Sequence, residues 1–296
     1  MRVTSSMMLR STLRDLSQGL SRLQETQTKL ATGKQITRPS ADPGGTSSAM
    51  GMRQDLRRAE QRSRSLNDAQ GWLETADVAL TSALGSLGRA KEITVRASNT
   101  GALGDPVARQ ALAAEVRSIR SEMLALANST YGSRSIFNGT ADGAAYGATG
   151  VYQGNDASIV RDVAPSTSIA VNLTGPQVFG TAGGAVGDVF ETLDRLANAI
   201  AAGDTTAIAT EHANLDSFRT VVGAATVEIG TRSARLADAK TRAEDSRLLM
   251  TTQLSEVEDV SIVDALITAK AQETSYQASL QVAAKILPPS LLDYLR

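Results

Sequence analysis

The sequence contains no cysteine, a single histidine and few aromatic side chains. Ten of its 296 residues are aromatic, about 3% of the chain. The missing cysteines exclude disulfides, zinc–thiolate sites and thiol catalysis. Aromatic residues supply much of the buried area of large globular cores, so one compact core that uses the whole chain is not expected. Apolar residues still make up 42% of the chain. They are mainly Ala, Leu, Val and Ile, which suit contacts between helices.

Long apolar runs are also missing. No stretch reaches the roughly 20 apolar residues that a membrane-spanning helix needs, so no membrane partner is predicted. The N-terminal segment lacks the apolar core and the small-residue cleavage site of a secretory signal peptide. The absence of cysteine does not by itself predict a cytosolic protein, because an exported protein can lack cysteine too.

The net charge of −1 conceals opposite charges at the two ends of the chain. Residues 1–64 carry 12 Lys and Arg against 5 Asp and Glu, whereas residues 186–296 carry 10 against 16. A basic end can bind nucleic acid. Here the basic residues are dispersed and no aromatic residue precedes Trp72. Pairing between the two ends is therefore the preferred interpretation, and no nucleic-acid partner is predicted.

Leucines recur near the N-terminus at alternating steps of four and three residues. This spacing places them on one stripe of a helix and is typical of a coiled-coil seam. Gly33 suits the end of that helix, and Asp42 followed by Pro43 is typical of the N-cap and first turn of the next one. The seam positions are Leu9, Leu13, Leu16, Leu20, Leu23, Gln27 and Leu30.

A second seam is predicted near the C-terminus, so both ends are expected to be amphipathic helices. Between them the pattern is helical over 44–99, turns at 99–106 and is helical again to about residue 130. Helical spacing returns near residue 188, with breaks expected at Gly203 and Gly223, and continues through a seven-residue repeat of apolar positions from Ile229 to Val257. The C-terminal seam positions are Leu266, Ala269, Glu273, Tyr276, Leu280, Ala283 and Leu287, and Leu291 and Leu295 follow in the closing segment.

The middle of the chain has a different character. Residues 132–187 are rich in Gly, Ser and Thr, and the alternating runs 158–163 and 168–173 predict short strands. Six of the ten aromatic residues lie in or beside this stretch, which predicts a small core of its own. They are Tyr131, Phe137, Tyr146, Tyr152, Phe179 and Phe190.

These patterns predict a mainly α protein. The expected architecture is a long antiparallel helical bundle with coiled-coil terminal helices and a small β-rich insert domain in the middle of the chain. Residues 1–43 and 262–296 would form a terminal axial domain. Residues 44–131 and 186–261 would form the helical bundle, and residues 132–185 the β-rich outer domain.

No pattern of residues predicts catalysis, a metal or a cofactor. His212 is the only histidine, and it has no second ligand at a useful spacing beyond Glu211 and Asp216. An acidic cluster before the C-terminal seam is typical of a solvated turn or a helix start; its members are Glu256, Glu258, Asp259 and Asp264. Three matches to the glycosylation sequon, at Asn128, Asn138 and Asn172, are of a length that is frequent by chance.

The two terminal stripes have two interpretations that periodicity leaves open. They can pack against each other within one molecule, or they can pack against other subunits in an ordered array. A narrow seam on a pair of helices leaves other helix faces free for partners. A thin bundle alone also buries too little apolar surface to be firmly stable.

The two terminal parts of the sequence contain a series of specific motifs: Met1-Arg2-Val3-Thr4, Leu13-Arg14-Asp15-Leu16, Pro39-Ser40-Ala41-Asp42-Pro43, Trp72-Leu73, Ile136-Phe137-Asn138-Gly139-Thr140, Ile229-Gly230-Thr231-Arg232, Tyr276-Gln277-Ala278-Ser279-Leu280 and Ser290-Leu291-Leu292-Asp293-Tyr294-Leu295. These motifs resemble those of the bacterial flagellar hook-associated protein 3 family. The resemblance covers roughly residues 1–140 and 223–296. It departs from the family at Ala41, where a second acidic residue is common, and this puts only the local helix cap in doubt.

This resemblance implies a non-enzymatic adaptor at the junction of hook and filament in an extracellular flagellum. It implies a ring of subunits between hook-associated protein 1 and flagellin, export without a cleaved signal peptide, and an export chaperone that holds the C-terminal helix. Flagellins share the architecture, so a minor flagellin is the alternative. Their typical Leu-Leu-Arg ending differs from residues 291–296 here. A filament-borne hydrolase acting through the Gly-rich middle would need a convergent polar cluster in that region.

Overall fold

The computed structural model describes residues 5–98, 104–164, 167–181, 183 and 187–286, with backbone only at 5, 6, 8, 9, 285 and 286. The chain divides into two compact units. The terminal unit consists of the residues up to Arg58 and from Ser246 onward, and the central unit is Ala59–Asp245. Two long helices contribute residues to both units.

The elements are mainly helices, with two small antiparallel two-stranded sheets, as the sequence predicts. The helices are α1 (Ser5–Thr32), α2 (Pro43–Ser98), α3 (Pro106–Ala127), α4 (Gly175–Phe179), α5 (Val189–Ala202), α6 (Thr205–Glu258) and α7 (Ile262–Ile286). The strands are β1 (Thr130–Tyr131), β2 (Arg134–Ser135), β3 (Val160–Ala164) and β4 (Thr167–Ala170). Strand β1 pairs with β2, and β3 pairs with β4.

Local sequence signals fix several helix ends. Gly33 follows α1 with a φ of +68°, a conformation that glycine adopts without steric cost. The Asp42 carboxylate accepts a 2.9 Å hydrogen bond from the Gly45 amide at the start of α2. Gly203 ends α5 in the left-handed region, which confirms that predicted break. The predicted turn at 99–106 lies largely outside the described residues.

The predicted break at Gly223 is wrong, because α6 continues through it without interruption. A glycine in a helix interior costs only about 0.5–1 kcal/mol relative to alanine. Val222 and Ala225 are both buried beside it. Packing of such neighbours on one face holds the helix together despite a weak local preference.

The central unit is built on two rows of apolar residues that recur every seven positions. All of them are buried in one continuous core, which also takes in residues of α3 and α5. Burying a side chain of this size contributes about 1.5–3 kcal/mol, so these rows hold the long helices together. The row on α2 is Leu66, Leu73, Leu80 and Leu87, and the row on α6 is Leu215, Val222, Ile229 and Leu236.

The aromatic residues of the middle segment do not form a core of their own, so that expectation is wrong. The rings of Phe137 and Phe179 have centroids 5.2 Å apart, and those of Tyr146 and Phe190 are 5.0 Å apart. These rings are continuous with the buried residues of the helices. Two-stranded sheets offer too little surface to enclose large rings by themselves, so the helices complete the enclosure.

Two arginines tie the β3–β4 hairpin to the long helices of the central unit. Arg161 on β3 donates hydrogen bonds of 3.0 and 3.1 Å to the Asp68 carboxylate on α2. Arg232 on α6 donates to the carbonyl oxygens of Ala170 and Asn172, at 3.1 and 2.7 Å. The hairpin is therefore held to the helical core by polar contacts from both sides.

Candidate subunit interface

The terminal unit pairs α1 with α7 in antiparallel fashion. Thr26 Oγ1 donates a 2.8 Å hydrogen bond to Gln272 Oε1. Earlier on α1, Gly19 lies beside the ring of Tyr276, and a Cβ there would lie 3.5 Å from Tyr276 Cδ2. The structure thus pairs the two helices that carry the predicted seams, and a small residue on α1 accommodates the aromatic residue on α7. Of these four contact residues, Tyr276 is the one that was predicted as a seam position.

The pairing covers only part of the predicted seams. The side chains of Leu16, Leu23, Leu30 and Tyr276 are half-buried. The exposed fraction is 57% for Leu13, 40% for Leu20, 56% for Leu266 and 44% for Leu280. Leu287, Leu291, Leu295 and the side chain of Leu9 lie outside the described residues. The pair therefore presents apolar side chains to solvent at spacings that suit contact with another helix.

The first turns of α7 expose further apolar residues that the sequence prediction did not include. Ile262, Val263 and Ile267 are each at least 60% exposed. The signal was present in the sequence, because apolar pairs at 262–263 and 266–267 form a stripe two residues wide on a helix. Such a concentration of exposed aliphatic side chains is typical of a surface that binds a partner.

Few side chains of the terminal unit are buried. Among the described residues of this unit, the buried ones are Thr26, Ala49, Glu258 and Ala265. Two of these four side chains are polar and two are alanines. Burial of apolar surface is the main favourable term in folding. Because so few apolar side chains are buried in the terminal unit, this term contributes little here, and the α1–α7 pair depends strongly on polar contacts.

A group of polar contacts joins the turn after α1 to the end of α6 and the turn that follows it. The Gln35 amide donates a 2.6 Å hydrogen bond to the Glu258 carbonyl, and the Val260 amide donates a 3.0 Å hydrogen bond to the Gly33 carbonyl. Lys34 and Asp259 lie between them as an antiparallel bridge. The two turns therefore form a short piece of sheet across the terminal unit.

Four charged side chains surround this bridge, and we call them the Glu258 clamp: Lys34, Arg53, Glu258 and Asp259. The Glu258 carboxylate is buried, with 7% of its side chain exposed, and it lies 3.2 Å from Lys34 Nζ and 2.7 Å from Arg53 Nη2. Lys34 Nζ also lies 2.6 Å from Asp259 Oδ1. Each carboxylate therefore has at least one cationic partner.

Within the clamp, the contact between Lys34 and Asp259 favours the charged form of both side chains. The hydrogen bond from Lys34 lowers the pKa of Asp259 below its ordinary value of 3.8, with a further contribution from Ser255. The same contact with Asp259 raises the pKa of Lys34 above 10.5. The sequence prediction of a solvated turn is wrong for Glu258, because the turn after α1 covers it. The predicted pairing of the basic and acidic ends is confirmed at this contact.

The other candidate residues fall at ordinary structural positions. His212 is partly exposed on α6, with its Nε2 3.8 Å from Asp216 Oδ2. Across the described parts of the chain, no cluster of three or more His, Cys, Asp or Glu could hold a metal ion. In those same ranges, every helix is too short or too polar to cross a membrane.

The three sequon asparagines use their side chains to hold loops together. Asn128 exchanges two hydrogen bonds with the backbone of Tyr146, at 2.8 and 2.9 Å. Asn138 is fully buried and donates 3.0 Å to the Ala141 carbonyl. Asn172 accepts from the Ile159 amide at 2.7 Å. In the folded chain these amides are therefore loop supports.

Parts of this chain are similar in sequence to known flagellar proteins. Residues 3–142 match the family model of the bacterial flagellin N-terminal helical region. The chain is 29% identical to flagellar hook-associated protein 3 of Salmonella typhimurium over 184 residues, an alignment that spans 61% of this chain and 57% of that protein. It is 27% identical to flagellar hook-associated protein 3 of Escherichia coli, over 94% of this chain and 95% of that one.

The fold is also similar to that of a solved structure. The flagellar junction protein FlgL from Legionella pneumophila superposes with a TM-score of 0.57 at 17% identity, covering 71% of this chain and 99% of that one. At this identity the likeness concerns the fold alone. The chain is therefore similar in sequence to flagellar hook-associated protein 3, and its residues 3–142 match the flagellin N-terminal helical region.

Proposed function

We propose that this protein is a structural subunit of the bacterial flagellum, an adaptor between hook-associated protein 1 and the flagellin filament. The observation that carries the proposal is the α1–α7 pair, which exposes leucines along both helices while burying almost nothing of itself. An exposed apolar surface of this kind is typical of a site that neighbouring subunits cover. The names of the sequence relatives supply the flagellar setting.

In this proposal the predicted interface residues pack against other subunits in a ring. Those on α1 are Leu9, Leu13, Leu16, Leu20, Leu23 and Leu30, and those toward the C-terminus are Leu266, Tyr276, Leu280, Leu287, Leu291 and Leu295. Residues 1–43 with 262–296 form the axial domain, residues 44–131 with 186–261 the bundle, and residues 132–185 the outer domain. The chain acts outside the cell after export, an export chaperone holds its C-terminal helix, and it has no catalytic role.

Deletion of either terminal segment tests the proposal. Loss of residues 1–30 or of 262–296 removes one member of the α1–α7 pair, so we expect cells that carry hooks but no attached filaments. The central unit keeps its core in either deletion, because its buried residues lie within Ala59–Asp245. Circular dichroism and Trp72 fluorescence of the purified variants check this. Normal filaments from either deletion would contradict the proposal.

A minor flagellin is the second candidate, favoured by the match to the flagellin N-terminal helical region. Immunogold labelling of intact flagella separates the two functions. A junction adaptor gives a single band of label where the hook ends, whereas a filament subunit gives label along the filament. The measurement uses the full chain with an epitope in an exposed loop, for example near the exposed Gly143.

A further inference from the structure

The dipeptide Asn138-Gly139 lies in the loop after β2 of the central unit. It is the only place in the sequence where an asparagine precedes a glycine. An asparagine amide can react with the backbone nitrogen of the residue that follows it. Glycine has no side chain to hinder this approach and allows the widest range of backbone conformations. In the unfolded chain, Asn138 is therefore the asparagine that is most open to this reaction.

The folded loop holds the Asn138 amide away from its neighbour. Asn138 Nδ2 donates hydrogen bonds of 3.0 Å to the Ala141 carbonyl and 3.3 Å to the Gly143 carbonyl. The side chain is fully buried, so water does not replace these bonds when they break. Both bonds must be lost before Nδ2 can leave as ammonia, and a buried polar group that loses its partners costs free energy.

The backbone of the dipeptide is held as firmly as the amide. The Asn138 carbonyl accepts hydrogen bonds from the Ala141 and Asn155 amides, both at 3.3 Å. The Thr140 amide donates a 2.9 Å hydrogen bond to Asn155 Oδ1. Gly139 has a φ of +64°, and a Cβ there would collide with the Asn155 carbonyl oxygen. The segment at Asn155 therefore leaves the dipeptide little freedom to rotate or to accommodate an extra ring.

We propose that Asn138 is a deamidation site that is open in the unfolded chain and closed by folding. In the open chain the Gly139 nitrogen attacks Asn138 Cγ, so that an N–Cγ bond forms and the Cγ–Nδ2 bond breaks. Ammonia leaves with the proton that the Gly139 nitrogen gives up, and a succinimide remains. Water then opens the succinimide at Cγ to give aspartate, or at the backbone carbonyl carbon to give isoaspartate. No oxidant or reductant takes part.

Neither product fits the folded loop. An aspartate oxygen would face the Ala141 and Gly143 carbonyl oxygens in the place where Nδ2 now donates to them, and a carboxylate has no proton to donate. Isoaspartate adds one carbon to the backbone where the loop packs against Asn155. A chain that reacts before it folds is therefore lost to folding, as when an unfolded state is chemically modified faster than it refolds. This inference does not depend on the proposed flagellar function.

Peptide mapping by mass spectrometry of the purified full chain tests the site. One sample is kept folded at pH 8, and another is kept at the same pH in concentrated urea. We expect aspartate and isoaspartate at position 138 to form at least about a hundredfold faster in urea, because only the open fraction of the folded sample reacts. Asn198, which is exposed on α5 and precedes Ala199, is the internal control and should react far more slowly than Asn138 in urea.

A variant of the neighbouring residue tests the chemistry without requiring a folded protein. In urea, Gly139→Val should slow the reaction at Asn138 at least about tenfold, because a β-branched side chain crowds the attacking nitrogen. An unchanged rate in this variant would overturn the proposed attack by that nitrogen. Absence of any reaction at Asn138 in urea would overturn the site itself.

Refolding tests whether the modified chains are lost. Trp72 is the only tryptophan and is buried in the central unit, so its emission reports on the folding of that unit. After dilution from urea, unmodified chains should recover the native emission. Gel filtration then separates folded from unfolded chains, and the products at position 138 should occur in the unfolded fraction.

The variant Asn138→Asp carries one of the products from the start. It should raise the equilibrium constant for unfolding of the central unit at least about a hundredfold at pH 7, because a buried carboxylate lacks compensation there. The matched control Asn198→Asp, at an exposed position, should change that constant less than about threefold. Equal constants for the two variants, or modified chains that refold normally, would overturn the inference. Equal reaction rates in buffer and urea would also overturn it, and that comparison uses the wild-type chain even if Asn138→Asp does not fold.

Discussion

Arg195 on α5 holds Glu211 on α6 through two hydrogen bonds, from Nε to Oε1 at 2.7 Å and from Nη2 to Oε2 at 3.3 Å. The Glu211 side chain is 8% exposed, and Asn214 donates a further 2.9 Å hydrogen bond to it. The contact with Glu211 raises the pKa of Arg195 above its ordinary value. This ion pair joins α5 to α6, the two helices that follow the β-rich segment, and it adds a charged contact to the apolar rows of the central unit.

Replacing Glu211 by Gln is expected to destabilise the central unit. Both carboxylate oxygens of Glu211 accept hydrogen bonds, from Arg195 and Asn214, so the variant turns one buried acceptor into an amide donor that faces another donor. Arg195 keeps its contact with Glu191 at 2.9 Å. The expected loss is about 1–3 kcal/mol, since a buried polar group that loses its partner costs that much. Urea denaturation followed by Trp72 fluorescence measures it. Glu244→Gln, an exposed position on the same helix, serves as the control. Equal midpoints for both variants would show that the pair contributes nothing.

Asp188 gives a prediction for pH dependence. It caps α5 by accepting a 2.7 Å hydrogen bond from the Glu191 amide, and burial raises its pKa above the ordinary value of 3.8. The folded chain therefore holds this proton more tightly than the unfolded chain does. The resulting stabilisation is complete below pH 3.8 and is lost as the pH rises through the folded-state pKa.

Two substitutions separate the charge of Asp188 from its capping role. Asn caps a helix as well as Asp does, so Asp188→Asn should be at least as stable as the parent at pH 7 and should lose the pH dependence described above. Asp188→Ala should lose about 1 kcal/mol because the cap is gone. Thermal unfolding between pH 3 and 7 checks both. A less stable Asn variant would indicate that the ionised carboxylate itself is favourable.

Gly150 and Gly143 form a matched pair of loop glycines. Their φ values are +89° and +91°, but a Cβ at Gly150 would lie 2.9 Å from Phe190 Cβ, whereas one at Gly143 would have open space. Both alanine variants incur the left-handed backbone cost of about 1–2 kcal/mol. Gly150→Ala should lose about 1–3 kcal/mol more, because the aromatic cluster must shift. Denaturation midpoints compare them, and equal losses would exclude the clash.

Leu13 and Leu20 test the exposed stripe of α1. Because both side chains are exposed in the single chain, the double variant Leu13→Gln, Leu20→Gln should change its unfolding free energy by less than about 0.5 kcal/mol per site. The number of attached filaments should nevertheless fall sharply, as measured by filament counts in electron micrographs and by swimming speed. Gln18→Ala and Gln24→Ala on the same helix are the controls. Wild-type filament numbers in the leucine variant would show that this stripe of α1 is not part of the interface.

The sequence indicated the helices well because their signals are local. Asp42 and Pro43 identify the start of α2, and Gly203 identifies the end of α5 without reference to any other segment. Of the predicted seven-residue repeat from Ile229 to Val257, Ile229 and Leu236 belong to the core, whereas Met250 and Val257 do not. The predicted helix break at Gly223 was wrong, because the weak helix preference of one glycine is overridden by the packing of its buried neighbours.

The sequence by itself determined that the chain is mainly helical, that its ends are amphipathic and that they carry opposite charge. These properties follow from residue type and spacing along one segment. Only the tertiary structure decided that the aromatic rings join the helical core, that seam residues such as Leu13 and Leu266 stay exposed, and that Glu258 is buried between Lys34 and Arg53. Those features depend on which distant segments meet, because burial and ion pairing arise from partners that local spacing does not specify.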